Sequence, residues 1–167
     1  MLLAHQTPPS MAGGIRDSAE MAVRSGIKFI QFAVRPEEDA QAIDEYLKAL
    51  KPVPSPLLVN GALSEAAQRG KAIFASEAVG CATCHPEPLY TDLQTYNVGT
   101  EGELDRRNDF DTPALTEVWR TAPYLHDGRA VTVMDVLKSC NAGDAHGKTS
   151  QLSEQELNDL AAFVSSL

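Results

Sequence analysis

The stretch "VGCATCHPEP", residues 79–88, limits what this chain can be more than any other feature. Two cysteines stand three apart, and a histidine follows the second directly. Thiols at that spacing on a turn face the same way, and the imidazole of His85 can swing beneath them. The arrangement suits covalent c-type haem, with the Cys81 and Cys84 sulfurs bonded to the two vinyl groups and His85 as proximal iron ligand. Zinc is the competing occupant. It would want four protein ligands, normally from a second Cys/His pair, and only Cys140 and scattered histidines are left to supply it. A thioredoxin-type redox pair is a third reading, although no βαβ pattern surrounds the motif. Two of the three cysteines belong to this motif and Cys140 is left over, so the chain has no disulfide framework.

Helical patterns flank the motif. "PEEDAQAIDEYLKAL", 36–50, predicts a helix: proline opens it, Glu37, Glu38 and Asp39 suit the positive end of its dipole, and Ile43, Leu47 and Leu50 form an apolar stripe. "KPVPSP", 51–56, cannot continue a helix and reads as a stiff linker. A second helix starts near Ser64, with Ala66, Gly70, Ile73 and Phe74 on one side. Residues 86–130 are rich in Pro, Gly, Asp and Thr and predict mostly loop. "VTVMDVLKS", 131–139, predicts a short helix. In "SEQELNDLAAFVSSL", 153–167, Ser153 and Glu156 have capping-box spacing, and Leu157, Leu160, Ala161, Val164 and Leu167 make one apolar face.

Two pairs of segments echo one another. "TPPSMAGG", 7–14, resembles "TAPYLHDG", 121–128, at an offset of 114; "PEEDAQAIDEYLKAL" resembles "SEQELNDLAAFVSSL" at an offset of 117. Order and offset agree, which predicts the tail of one unit, a Pro-rich linker, and a whole second unit. The first copy has no Cys-x-x-Cys-His, and its Ala12 stands where the second has His126. Residues 1–50 are therefore expected to be the C-terminal part of a degenerate or truncated unit, 51–61 the linker, and 62–167 the haem domain.

The second unit resembles two known groups. A helix leading into the motif and an amphipathic helix at the end are similar to the crossing helices of class I cytochromes c, in which a glycine on the first lets an aromatic on the last pack closely. Gly70 and Phe163 match those positions. "YNVGT", then "FDTPALTEVWRTAPYLHDG", then the last helix resemble the C-terminal domain of bacterial di-haem cytochrome c peroxidases and their MauG relatives. That resemblance covers residues 62–167. It implies tandem cytochrome domains, with an N-terminal haem that reacts with peroxide and a C-terminal haem that passes electrons to it. This chain departs there, since its first unit lacks the haem motif.

The sixth iron ligand separates electron transfer from chemistry on a small molecule, because a strong ligand closes the iron. His146, in the loop "NAGDAHGKTS", offers neutral imidazole and is the first candidate. Cys140 is the alternative: the resemblance places it, fourteen residues after His126, where the family supplies a Met or Tyr ligand. Met134 has a core pattern, Met11 and Met21 belong to the first unit, and His126 resembles a residue beside the haem, or a turn histidine bonded to backbone. Arg107, Arg120 and Arg129 could each pair with a haem carboxylate, and Arg120 matches the family's "R-TAPY" arginine. Trp119 and Tyr124 are expected to line the haem cavity as apolar wall.

The expected fold is all-α: a class I cytochrome c-like haem domain preceded by a helical remnant of a second cytochrome-like unit. The expected function is single-electron transfer by one covalently attached haem c. The alternatives are a peroxidase-like enzyme acting with a second haem unit outside this chain, and a redox or gas sensor. Net charge of −9, from 23 acidic against 14 basic residues, argues against nucleic acid as partner. A redox partner protein or second haem domain is expected instead. No apolar run reaches membrane-span length. Covalent haem implies a periplasmic or otherwise extracytoplasmic location, and "MLLAHQTPPS" is not a complete signal peptide, so the chain reads as a piece of a longer protein.

Overall fold

The structure is a computed structural model and describes residues 2–11 and 13–167. The chain divides into two compact units, Met1–Pro52 and Val53–Leu167.

In the second unit, α3 (Glu65–Phe74) starts where the Ser64 hydroxyl accepts from the Ala67 N–H at 3.2 Å. The last helix, α6 (Glu154–Val164), opens on the predicted capping box between Ser153 and Glu156. The two helices pack directly on one another. A β-carbon at Gly70 would lie 1.9 Å from the Asp159 carbonyl oxygen and 2.9 Å from the Phe163 Cβ, so only glycine permits this approach. Arg69 fixes the same crossing with a bidentate pair to the buried Asp159 carboxylate, at 2.6 and 2.9 Å. The buried face of α3 is Ala67, Gly70 and Phe74, one residue round from the predicted Ala66. Phe74, Phe163 and Tyr90 meet edge to face, with ring centres 5.2–6.2 Å apart. Leu157, Leu160, Val164, Val118, Val133 and Leu137 complete the core. Burying an aliphatic or aromatic side chain of this size contributes about 1.5–3 kcal/mol.

Two short helices complete this unit: α4 (Cys81–Cys84) and α5 (Val133–Leu137), the latter with a capping box between Thr132 and Asp135. The loop region also holds a 3-10 turn, Val118–Arg120, and an antiparallel pair of two-residue strands, β1 (Thr95–Tyr96) and β2 (Phe110–Asp111), with Thr95 opposite Asp111. The expected all-α fold is thus mostly helical, with one minimal β pair.

In the first unit, α1 (Ala19–Ser25) is capped by the Ser18 hydroxyl and runs into a π-helical turn, Gly26–Ile30. Neither was predicted. The predicted helix is α2 (Glu37–Ala49), with Pro36 at its N-cap. Its apolar core is small: Val23, Ala40 and Leu47, with Ile27 and Leu50 beside them. A buried carboxylate, Asp44, holds it together by accepting from Arg24 at 2.7 Å and meeting His5 Nε2 at 3.1 Å. Burial pushes the Asp44 carboxyl upward, but those two partners outweigh it and hold it below the usual range.

The echo in sequence has a counterpart in backbone geometry. An isolated antiparallel bridge joins Ser10 to Arg16 in the first unit and Tyr124 to Ala130 in the second, at the same offset of 114. Gly14 and Gly128 occupy corresponding turns with φ of 59° and 74°, and at each an added β-carbon would meet a proline ring, Pro9 at 3.0 Å and Pro123 at 3.1 Å. Met11 and Leu125 share a left-handed conformation, as do Leu3 and Glu117. The helix caps Ser18 and Thr132 also stand 114 apart. The correspondence of Ala12 with His126 lies outside the described residues.

Candidate functional site

Gly80, with φ of 83°, turns the chain into α4, which presents Cys81 and Cys84 on one helical turn. His85 follows at its end, buried at 8% exposure. Its Nδ1 lies 2.8 Å from the Tyr90 carbonyl oxygen. A carbonyl only accepts, so the proton sits on Nδ1, and Nε2 is left with a free lone pair for a metal. Burial lowers the His85 pKa first and foremost, which keeps the ring neutral as a ligand must be. The ring of Tyr90 packs edge to face on both Phe74 and Phe163, so the core itself fixes the His85 imidazole.

The ring of His146 faces that of His85, with centres 6.3 Å apart and planes tilted by 40°. Two imidazoles that bind one metal ion from opposite sides at about 2 Å have ring centres roughly 6 Å apart. The pair therefore has the spacing of two axial ligands. Burial, with His85 alongside, pushes the His146 pKa down to about 4, so it too is neutral near pH 7. Its loop lies over the motif: a β-carbon at Gly147 would be 3.7 Å from Cys81 Sγ, and the Lys148 N–H donates to the Val79 carbonyl at 2.9 Å.

The cysteines are free thiols. Burial pushes Cys81 up to about 11 and also raises Cys84. An activated redox pair would be shifted the other way. Among the described residues, no group of three or more His, Cys, Asp or Glu side chains could hold a metal ion, so zinc has no ligand set. Thiols on one turn and two neutral imidazoles with ring centres 6.3 Å apart fit haem better than either competitor.

The other candidates fall in varied places. Cys140 is half-buried, its sulfur 4.0 Å from the Ser139 hydroxyl. Met134 packs against the core, as its pattern predicted. The Arg120 guanidinium pairs with the buried Glu117 carboxylate, its Nε donating at 2.8 Å, and lies over the Trp119 ring. Trp119 is half-buried, and its indole N–H is buried with no partner, which suits a haem carboxylate arriving there. Tyr124 packs against the core and donates its hydroxyl to the Val118 carbonyl at 3.1 Å. His126 is bonded through Nε2 to the Asp105 carboxylate at 2.8 Å, rather than to backbone, and stacks on Phe110. Arg129 pairs with Asp127, and Arg107 with Asp109.

Three participants escaped sequence reasoning. The Tyr90 carbonyl is backbone and leaves no side-chain signature. Asn141, which bonds the His146 backbone, was legible only as the start of a turn. Asp111 has a buried Oδ1 without a partner; burial, then the neighbouring Asp92, push its carboxyl up to about 6.

Comparison with known proteins places this geometry. The family described as RoxA-like, cytochrome c-like matches residues 110–144. Hydrazine synthase subunit gamma of Kuenenia stuttgartiensis is 34% identical over 76% of this chain and 48% of its own length. Cytochrome-c peroxidase IdrP1 of Denitromonas iodatirespirans is 33% identical over 64% of this chain and 41% of its own. The methylamine utilization protein MauG of Methylorubrum extorquens is 30% identical over 64% of this chain and 35% of its own. The chain thus spans about half or less of the curated relatives it matches. The solved structure of Kuenenia stuttgartiensis hydrazine synthase pressurised with xenon superposes with a TM-score of 0.87 at 27% identity, over 96% of this chain and 68% of that one.

Proposed function

We propose that this chain, a cytochrome c-like protein related to the di-haem cytochrome c peroxidases, MauG and the hydrazine synthase gamma subunit, carries one covalent haem c and passes single electrons through it. Cys81 and Cys84 would hold the group by thioether bonds, and His85 and His146, with Cys140 as the alternative to His146, would supply its iron ligands. When bound, the haem supplies an iron that cycles between two oxidation states. The residues do the rest. The Tyr90 carbonyl keeps the proton on Nδ1 of His85 and its lone pair directed outward. His146, neutral and half-buried, supplies a second strong donor that shuts out small molecules. Trp119 and Tyr124 wall the cavity, and the unpartnered Trp119 N–H meets a haem carboxylate. Arg120, at the edge of the same wall and over the Trp119 ring, gives its Nε and one terminal nitrogen to Glu117 and keeps further N–H donors for that carboxylate.

The observation that carries this reading is the His85–His146 pair, with ring centres 6.3 Å apart. The test is the absorption spectrum of matured, reduced protein with and without carbon monoxide. A spectrum unmoved by carbon monoxide in the wild type and shifted in His146→Ala is expected. A wild-type shift overturns the closed-iron reading, and loss of carbon monoxide resistance in Cys140→Ala instead would transfer the ligand role to Cys140.

We read residues 1–50 as the C-terminal part of a degenerate cytochrome-like unit; the matched bridges, glycine turns and caps at an offset of 114 support that reading. Maturation of covalent haem makes the location extracytoplasmic. Among the described residues no helix is long and apolar enough to cross a membrane. The partner is a redox protein or a second haem domain, a reading supported by one relative being a subunit of a complex. Peroxidase chemistry is the second reading, favoured by the relation to cytochrome-c peroxidase IdrP1. It needs a second haem unit beyond these residues, and peroxide turnover by the chain joined to that unit would establish it over simple electron transfer.

A further inference from the structure

We propose that Asn141 is the positioning residue that holds His146 at the iron, and so decides whether this haem is a closed electron carrier or an open site. The proposal rests on the reading that His146 is the sixth ligand.

The loop that carries His146 has little stiffness of its own. Gly143, Asp144 and Gly147 all sit in the left-handed region, with φ of 77°, 57° and 81°. Its regular structure is limited to a single 3-10 turn, Ala142–Asp144. The His146 peptide itself is held by one side chain. Asn141 is 6% exposed, and its amide is fully used. Its Oδ1 accepts from the His146 backbone N–H at 2.7 Å. Its Nδ2 donates to the Gly147 carbonyl at 2.8 Å and to the Thr149 hydroxyl at 2.7 Å. The Thr149 hydroxyl in turn donates to the Leu137 carbonyl at the end of α5, at 2.6 Å. A continuous chain of bonds therefore runs from the packed helix α5 to the peptide of the ligand itself.

Asn141 thus brackets His146 on both sides, gripping its own N–H and the carbonyl of the next residue. Removing the amide leaves the His146 N–H without its partner and the Gly147 carbonyl with only the Thr149 N–H at 3.1 Å, and the His146 N–H regains a partner if the loop opens to water. The imidazole then swings away while the thioethers and His85 stay in place. A second closure, from the Asp144 carboxylate to the Ser150 N–H at 2.9 Å and hydroxyl at 2.5 Å, lies on the same loop but does not touch the His146 peptide. It is the natural control.

The experiment uses the full haem-loaded chain, reduced, titrated with carbon monoxide and followed in parallel by reduction potential. In Asn141→Ala, carbon monoxide association should rise roughly 10- to 100-fold over wild type, the range in which loss of an outer-shell partner weakens a metal ligand. Asn141→Asp, which keeps the acceptor for the His146 N–H but not the two donated bonds, should fall between. Asp144→Ala should stay resistant to carbon monoxide. If Asn141→Ala keeps its haem and helical content yet remains resistant with an unchanged potential, the proposal is overturned. It is also overturned if Asp144→Ala opens the iron equally, since any loosening of the loop would then suffice. Should Asn141→Ala fail to fold, Thr149→Val, which cuts the same chain one bond further out, is judged by the same criteria. His146→Ala separates the two levels: resistance there overturns the ligand assignment and this proposal with it. If it binds carbon monoxide while Asn141→Ala does not, only this proposal falls.

Discussion

Helices α2 and α6 hold corresponding places in the internal echo, 117 residues apart, and meet opposite surroundings. Phe163 and Leu160 of α6 are 1% and 0% exposed, whereas their counterparts in α2, Tyr46 and Ile43, are 66% and 39% exposed. Both helices are amphipathic and both are well started. What differs is the partner. On α6 the apolar face is taken by α3, through the close approach at Gly70 and the Arg69–Asp159 clamp. On α2 half of the corresponding face is uncovered: Ile43 and Tyr46 lie exposed, while Ala40 and Leu47 pack with Val23 beside the Asp44 charge cluster. An apolar stripe is an offer of burial; its energy is realised only where a second element accepts it.

That contrast can be broken by substitution. The largest effect is expected at the paired aromatics: Phe163→Ala should cost about 3–5 kcal/mol, while Tyr46→Ala stays within about 0.5 kcal/mol. Denaturant unfolding followed by far-UV circular dichroism measures both, and equal costs would sink the comparison. Next comes the crossing glycine. Glycine to alanine inside a helix ordinarily stabilises, but Gly70→Ala should destabilise by about 1–3 kcal/mol, because the added carbon meets backbone that cannot yield. The same change at Gly26, where nothing lies within 4 Å of the added carbon and φ is −61°, should gain up to about 1 kcal/mol. Thermal melts of the two variants should move in opposite directions.

A smaller effect sharpens the electrostatic side. In the second unit, Asp111 is raised to about 6, whereas Asp44 of the first is held low by its partners. A raised carboxyl stabilises the fold fully below the unfolded value, near 3.9, and loses that contribution as pH rises through its folded value, near 6. Asp111→Asn should therefore gain on the order of 1 kcal/mol at pH 7, a figure reduced for solvent screening of a half-buried group, and nothing near pH 3.5. A gain independent of pH would point to packing instead of charge.

Much of this was legible because it is local. Cys81, Cys84 and His85 sit within one turn of chain, and Ser64, Ser153 and Pro36 mark helix starts by their own chemistry. The match of Gly70 with Phe163 was legible through resemblance alone, and the packing bears it out. Ala66 was taken for Ala67 because neighbouring alanines carry equal apolar weight, and only the position of α6 decides between them. Strands of two residues are too short to show alternation, so β1 and β2 left no pattern. The His85 orienting bond comes from a peptide carbonyl, and the Asn141 clamp depends on Thr149 and Leu137, which the linear sequence does not bring together.

The closure of the 141–149 loop over Cys81 has a consequence for timing. Gly147 and Lys148 are seated against residues 79–81, and the half-buried Cys81 thiol is pushed toward its protonated form by burial. On the proposed haem attachment, the folded loop would hinder the thiol that thioether formation uses. The proposal then implies an order of assembly: haem joins the polypeptide before this loop closes.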